Sequence, residues 1–358
     1  MYVYIHIPFC NNICKYCDFP KLLYDKKFVN KYLDALEQEI KERYKGEEVM
    51  SIFIGGGTPT SLDILELKRL LEIISIFKVG ENLEFSIECN IESLTEEKII
   101  LLKDYEINRI SLGVQSFDEE ILKELNRKHN KKQVFEVVNN IKEYEINNIS
   151  IDYIYGVNED IEKLKKDMQI FLDLDIPHIS CYSLIIENNT VFGINNREYI
   201  DEDIEFKMYQ YIEDFLKSKG YFHYEVSNYS KEGYQSIHNL NYWDNGFYYG
   251  FGLGSVSYLD FNRISNTKNL NKYLNKEYID SNIYEDKDTR VSNGLILGLR
   301  KIEGININKF NQRYNVDILK LYNIKELIGE GKLILSNGFL RVAKEYFYME
   351  NDILINFV

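Results

Sequence analysis

The sequence predicts an α/β protein built on a parallel sheet, and three observations carry that expectation. Short apolar runs alternate with amphipathic stretches through the first 200 residues. The chain has 358 residues, enough for about two domains or one large α/β domain with an appendage. Cys10, Gly55–Thr58, Glu88, Gln115 and Asp152, the residues with chemical potential, stand at or just after the ends of the apolar runs. Parallel neighbours need helical crossovers, so repeated β–α units imply a parallel sheet. Periodicity leaves open whether that sheet is doubly wound or curls into a barrel. In both, ligands sit beyond the carboxyl ends of the strands.

The strand-like runs are Val3–Ile7, Ser51–Ile54, Leu83–Glu88, Arg109–Gly113, Asn148–Tyr155 and His178–Leu184. Between them, Lys27–Tyr44 sets Phe28, Tyr32, Leu36 and Ile40 at a four-residue spacing, and Leu62–Phe77 carries Leu65, Leu67, Leu70, Leu71 and Ile74. Thr95–Asp104, Lys131–Tyr144 and Ile161–Leu172 follow the same helical logic, with Ser93 or Thr95 as the cap of the first of these. After residue 200 the pattern changes. Asp201–Lys219 reads as a long helix, and Tyr221–Tyr258 is aromatic and glycine-rich with short possible strands. From Asp286, helical patterns at Thr289–Leu299, Ile307–Tyr314 and Val316–Glu330 precede two short runs, Leu333–Leu335 and Phe339–Val342, joined by Ser336-Asn337-Gly338. Three helices and an Asn-Gly hairpin predict a small, mainly helical, winged-helix-like unit. The expected division is 1–200, 201–285 and 286–358.

Hydrophobic residues make up 45% and charged residues 28%, as in ordinary globular proteins. The net charge of −14 argues against a protein that grips phosphate backbones, because such binding rests on many Lys and Arg. No nucleic acid partner is therefore expected. No run approaches the ~18 to 20 apolar residues that span a bilayer. The first residues, Met1–Cys10, lack the basic start and long apolar core of a signal peptide. A cytosolic protein is expected. Five cysteines in a chain of this length do not suggest a secreted disulfide framework.

Three of those cysteines, Cys10, Cys14 and Cys17, form CxxxCxxC. Three thiolates on a tight loop suit a soft metal or an iron–sulfur cluster, whereas a structural zinc site normally closes its shell with four ligands. Three ligands to a [4Fe–4S] cluster leave one iron open to a chelating cofactor. Gly55-Gly56-Gly57-Thr58-Pro59-Thr60 follows the second strand-like run. Its glycines let the backbone approach a ligand closely, and its plain alternative is a tight βα turn. For Glu88, the plain alternative is a solvated strand end.

The cysteine spacing and the glycine segment resemble the radical SAM superfamily. Further segments narrow the resemblance: Tyr4-Ile-His-Ile-Pro-Phe-Cys10, Ser111-Leu-Gly-Val-Gln-Ser-Phe117, Asn126-Arg-Lys-His129, Ile151-Asp-Tyr-Ile-Tyr-Gly156, His178-Ile-Ser-Cys-Tyr-Ser183, Tyr224-Glu-Val-Ser-Asn228 and His238-Asn-Leu-Asn-Tyr-Trp243. Together they are similar to the oxygen-independent coproporphyrinogen III oxidase family, most of all to its HemW-like haem-chaperone branch, over about residues 1–300. The resemblance implies an open (β/α)6 partial barrel with a smaller C-terminal domain. It implies that Cys10, Cys14 and Cys17 bind a [4Fe–4S] cluster. It implies that Tyr4, Tyr16, Gly56, Gly57, Thr58, Glu88, Gln115, Arg127, Asp152 and Ser183 line a site for S-adenosylmethionine. His238, Asn239, Tyr242 and Trp243 spell the HNxxYW motif that the family associates with haem.

Two functions share this cofactor site. One is a haem-binding protein that hands haem to an acceptor protein; the other is an oxidase that decarboxylates coproporphyrinogen III. The true oxidases carry one more cysteine two positions after the third cluster ligand, where this chain has Phe19. They also have a substantial segment before the first cluster cysteine, where this sequence has nine residues. Both departures favour the chaperone. His238, beside the aromatic run Phe247–Tyr249, is the expected haem ligand, with His223 as its competitor and a hydrogen-bonded core histidine as the plain alternative.

Overall fold

A computed structural model describes residues 1–358. Six parallel strands, β1 (Tyr2–Ile7), β2 (Val49–Gly56), β3 (Val79–Asn90), β4 (Arg109–Gln115), β5 (Asn148–Tyr155) and β6 (His178–Ser183), pair in chain order. Side chains alternate between the two faces of each strand. Val3, Ile5 and Ile7 of β1, with Ile52 and Ile54 of β2, join the hydrophobic core beneath the helices. Tyr4 and Phe53, on the opposite face, line an interior cavity.

The crossovers are α1 (Lys26–Arg43), α2 (Ile64–Ile74), α3 (Glu96–Asp104), α4 (Lys131–Glu143) and α5 (Ile161–Asp173). Capping boxes start α2 (Asp63 with Glu66) and α4 (Asn130 with Gln133), and Thr95 rather than Ser93 caps α3. The buried face of α1 is Val29, Tyr32, Leu33, Leu36 and Ile40, while Phe28 is exposed. The 3.6-residue period selects that stripe over a strict four-residue row. Leu65 of α2 also points to solvent.

The sheet curls. Tyr4 of β1 and Ser180 and Tyr182 of β6 line the same interior cavity, which a flat doubly wound sheet would keep far apart. This is the open (β/α)6 barrel. It does not close: Tyr249–Phe251 adds a parallel strand outside β1, and the hairpin Phe222–Glu225/Asn228–Ser230 adds antiparallel strands outside β6. The helix Ile237–Trp243 plugs the amino end of the barrel, held there by Ser51 and Glu84. A separate antiparallel sheet runs through Val256–Leu259, Asn262–Asn266 and Ile279–Tyr284.

After α6 (Glu202–Ser218), the C-terminal unit packs its own core, with Leu295, Ile305, Phe310, Leu340 and Phe357 among its members. Val316–Glu330 is not one helix. It breaks into a turn at Ile318–Lys320 and a helix at Ile324–Gly329, interrupted where Tyr322 takes φ 43°. The hairpin turn forms as the sequence predicts: Asn337 (φ 51°) and Gly338 (φ 81°) supply the two left-handed residues that a tight two-residue turn needs. No helix is long and apolar enough to cross a membrane.

Candidate cluster and cofactor site

The loop after β1 is pinned at both ends. Phe9–Cys10 pairs with Leu22–Leu23, and Asn126 Nδ2 donates to the Ile13 carbonyl at 2.8 Å while Asn12 Nδ2 donates to the Asn126 carbonyl at 2.6 Å. Cys10, Cys14 and Cys17 line one cavity of about 340 Å³. Three thiols with one position left open suit a cluster whose irons each take one thiolate better than a four-coordinate zinc.

The glycine segment is shaped for this loop. A Cβ on Gly57 would lie 2.8 Å from Cys10 Sγ, and one on Gly56 (φ 117°) would lie 2.7 Å from the His6 ring. His6 is no metal ligand, since Nδ1 is bonded to Tyr4 OH at 3.0 Å and Nε2 to the Pro20 carbonyl at 2.8 Å. Burial pushes the Cys10 thiol up to about 11, against a hydrogen bond from Thr58. A bound metal would draw that thiol into its thiolate form and release the proton. The donor set, the room and the backbone approach all fit an iron–sulfur cluster.

Tyr16, Gly56, Gly57, Thr58, Glu88, Gln115, Arg127, Asp152 and Ser183 line this same cavity. Tyr4 does not; it lies deeper, on the interior cavity that Glu88 and Asp152 also reach. Glu88 is no solvated strand end. It accepts the Gly56 N–H at 3.0 Å, and burial, joined by the Asp152 charge and opposed by that N–H, pushes its carboxyl up to about 8. Burial likewise raises Asp152, against hydrogen bonds from Ser180 and Ser111. Ser183 is oriented by donating to Glu205 Oε1 of α6 at 2.7 Å. Gln115 takes φ 69° at a register shift between β4 and β5, a bulge that aims its side chain.

Arg127 ties the site together. Its guanidinium donates to Asn90 Oδ1 at 2.8 Å, to the Gly113 carbonyl at 2.6 Å and to Glu92 Oε2 at 3.1 Å, and its Nη1 lies 3.9 Å from Cys14 Sγ. Burial would raise Glu92, but the hydrogen bond from His129 and the Arg127 charge prevail and hold it down to about 2. Asn90, Glu92 and Gly113 are site residues that sequence reasoning missed. A Cβ on Gly113 would lie 2.8 Å from Asn90 Oδ1. Their partners are distant in sequence, so no spacing marks them. The cavity thus holds both the three thiols and the buried carboxyls of Glu88 and Asp152, an arrangement able to hold a polar, cationic ligand beside a cluster.

The HNxxYW segment lies at the other end of the barrel. His238 is buried, with Nδ1 bonded to Ser51 Oγ and Nε2 to Tyr242 OH, both at 2.9 Å. Burial pushes its imidazole down to about 3. No ring nitrogen is free for iron in this conformation. Asn239 and Tyr242 face the interior cavity, whereas Trp243 lines a different cleft shared with the C-terminal unit. The four residues therefore do not form one pocket.

Known proteins match this architecture. The radical SAM superfamily model matches residues 4–169, and the HemN C-terminal domain model matches residues 286–345. The heme chaperone HemW of Lactococcus lactis is 38% identical over 99% of this chain and 96% of its own length. That of Bacillus subtilis is 34% identical over 98% and 97%. The solved structure of the coproporphyrinogen III oxidase HemN from Escherichia coli superimposes with a TM-score of 0.87 at 21% identity, covering 99% of this chain and 89% of that one, a likeness of fold. Superfamily membership implies a [4Fe–4S] cluster and S-adenosylmethionine, which the residues of the cavity fit. The chain belongs to the radical SAM superfamily and, within it, to the HemW family.

Proposed function

We propose that this chain is a haem chaperone: it holds a [4Fe–4S] cluster and S-adenosylmethionine at the carboxyl end of its barrel, binds haem and passes it to an acceptor protein in the cytosol. The observation that supports this reading is the end-to-end match to a relative named heme chaperone HemW. The decarboxylating oxidase has less support, because the likeness to HemN is at 21% identity and an exposed Phe19 stands on the cavity wall where the true oxidases carry a cysteine.

In this reading Cys10, Cys14 and Cys17 hold the cluster, which when bound supplies one-electron reduction and an open iron for the cofactor. Gly56, Gly57 and Thr58 take the methionine amino group and Glu88 the adenosyl side. Tyr4, Tyr16, Gln115, Arg127, Asp152 and Ser183 complete the surroundings. The His238–Trp243 segment contributes to haem handling, and the chain divides into 1–200, 201–285 and 286–358. The test is anaerobic reconstitution followed by two assays. Ferric haem should titrate to saturation at about one per chain and move to an added apo-haemoprotein. Coproporphyrinogen III with reductant should remain unchanged; formation of protoporphyrinogen would overturn the chaperone reading.

A further inference from the structure

The C-terminal unit meets the rest of the chain at several places. At the edge hairpin, the Val226 N–H donates to the Arg300 carbonyl at 3.0 Å and the Ile302 N–H to the Tyr224 carbonyl at 3.2 Å. Along α6, Glu205, Tyr209 and Glu213 recur every four residues and so share one face of that helix. The turn Lys344–Met349 lies against this face. Lys344 Nζ pairs with Glu213 Oε1 at 2.8 Å. The Tyr348 ring packs against Tyr209 and Phe206, with centroids 5.0 Å apart in both cases.

At the first turn of α6, one oxygen takes two hydrogen bonds. Glu205 Oε1 accepts from the Tyr348 hydroxyl at 3.0 Å and from the Ser183 hydroxyl at 2.7 Å. Tyr348 belongs to the C-terminal unit, whereas Ser183 ends β6 and lines the cluster cavity. A carboxylate is favoured in a first helical turn, where N–H groups point outward, and it accepts from hydroxyls more strongly than a neutral oxygen does. Burial, joined by the Glu205 charge, raises the Tyr348 phenol, so it remains a donor at neutral pH. Gly156 (φ 75°) closes the junction from the end of β5: a Cβ there would lie 3.7 Å from Ser183 Oγ and 3.8 Å from Glu205 Cγ.

We infer that Glu205 is a positioning residue for the cofactor site, and that the Tyr348 hydroxyl makes its position depend on how the C-terminal unit is seated. With that hydroxyl withdrawn, the carboxylate is free to turn, and Ser183 loses the fixed acceptor that sets its side chain on the cavity wall. Such coupling is reciprocal: a ligand that needs Ser183 in place favours the seated C-terminal unit by the same factor. Loading of the cavity at the carboxyl end of the barrel thereby tightens a unit that does not line it. This rests on the placement of S-adenosylmethionine in the cluster cavity proposed above.

The test titrates S-adenosylmethionine into the anaerobically reconstituted full chain. It reads the change in the electron paramagnetic resonance signal of the reduced cluster, with iron content as the check on loading. Tyr348→Phe keeps both ring contacts and should weaken cofactor affinity severalfold at unchanged iron content. Glu205→Ala should weaken it at least as much, and Glu205→Gln, which retains an accepting oxygen, should recover part of the loss. Adding Tyr348→Phe to Ser183→Ala should cost nothing further, since the path is already cut. Lys344→Gln removes the other polar anchor on α6 while Tyr348 stays packed, and should bind as wild type does. In the reverse direction, the cofactor should slow amide hydrogen exchange over Lys344–Met349 in wild type and not in Glu205→Ala. Wild-type affinity in both Tyr348→Phe and Glu205→Ala would overturn the assignment. An equal loss in Lys344→Gln would also overturn it, by tracing the effect to seating alone. If the wild-type cluster signal does not respond to S-adenosylmethionine, the cofactor placement itself fails, which is a separate outcome.

Discussion

The two ends of one barrel are built from the same kind of inward-facing polar side chains and differ in what those side chains are left to do. At the amino end, the first N–H groups of the helix Ile237–Trp243 and the His238 ring are matched within the fold. Glu84 accepts the N–H groups of Ile237 and His238, both at 3.0 Å, and Ser51 and Tyr242 take the two nitrogens of His238. At the carboxyl end, three thiols face a cavity, and burial raises the carboxyls of Glu88 and Asp152 against the hydrogen bonds they receive, Glu88 to about 8. In the plug, both ring nitrogens of His238 already have partners. A site is a region whose chemistry waits for a partner.

The largest expected effect breaks the carboxyl end alone. Cys14→Ala should abolish the brown cluster chromophore while the chain stays folded, because the loop is anchored by Phe9–Cys10 pairing and by Asn126 rather than by Cys14. Iron analysis after anaerobic reconstitution checks it; a full complement of about four irons per chain would refute the three-cysteine assignment. A smaller loss should follow from Gly56→Ala. The methyl group would meet the His6 ring at 2.7 Å on a backbone at φ 117°, a strain and overpacking cost of about 2 to 4 kcal/mol. A thermal midpoint equal to wild type would show that His6 yields, and that the glycine is needed for the ligand rather than for the fold.

The same contrast explains what was legible in the sequence. The six strands could be read because each alternates core residues with inward polar ones, as Val3, Ile5 and Ile7 do against Tyr4 and His6. The cysteine loop and glycine segment could be read because their function depends on close spacing. Tyr249–Phe251 could not be placed as a sheet strand, because three residues pairing with β1 from far along the chain carry no crossover pattern. Nor could the Arg127–Asn90–Glu92 network, whose members meet only once β3 and the segment after β4 are side by side. HNxxYW is recognisable as a motif, yet its spacing does not reveal that Trp243 turns away from Asn239 and Tyr242.

A pH experiment sharpens the comparison with a moderate effect. Glu88 sits near 8 in the folded chain against an ordinary 4.5, so the folded state holds a proton that the unfolded state has released. Its contribution to stability is complete below about pH 4.5 and is lost as the pH rises through about 8. A cationic ligand reverses the preference, since it favours the carboxylate. S-adenosylmethionine should therefore bind severalfold more tightly as pH rises from about 6 to 9, with proton release measurable by calorimetry in two buffers. Glu88→Gln should flatten both profiles; a pH-dependent affinity that survives in that variant would assign the proton to Asp152.

The smallest effect tests the plug. Ser51→Ala removes the hydroxyl bonded to His238 Nδ1 and leaves a buried ring nitrogen without a partner, at a cost of about 1 to 2 kcal/mol. If the amino end is only structural, the thermal midpoint falls slightly and nothing else changes: cluster content, haem affinity and haem spectrum all stay as in wild type. The freed nitrogen belongs to a neutral imidazole, since burial keeps His238 near 3, and such a ring is a competent iron ligand. The ring is nonetheless enclosed, with Phe53 at 5.2 Å, Tyr242 at 4.9 Å and Tyr2 at 6.4 Å between centroids, so a macrocycle has no approach to it without moving the helix Ile237–Trp243. Tighter haem binding or a new Soret position in Ser51→Ala would mean that this helix opens. The distinction between a saturated plug and an unsaturated site would then describe one conformation of the barrel and not its whole working cycle.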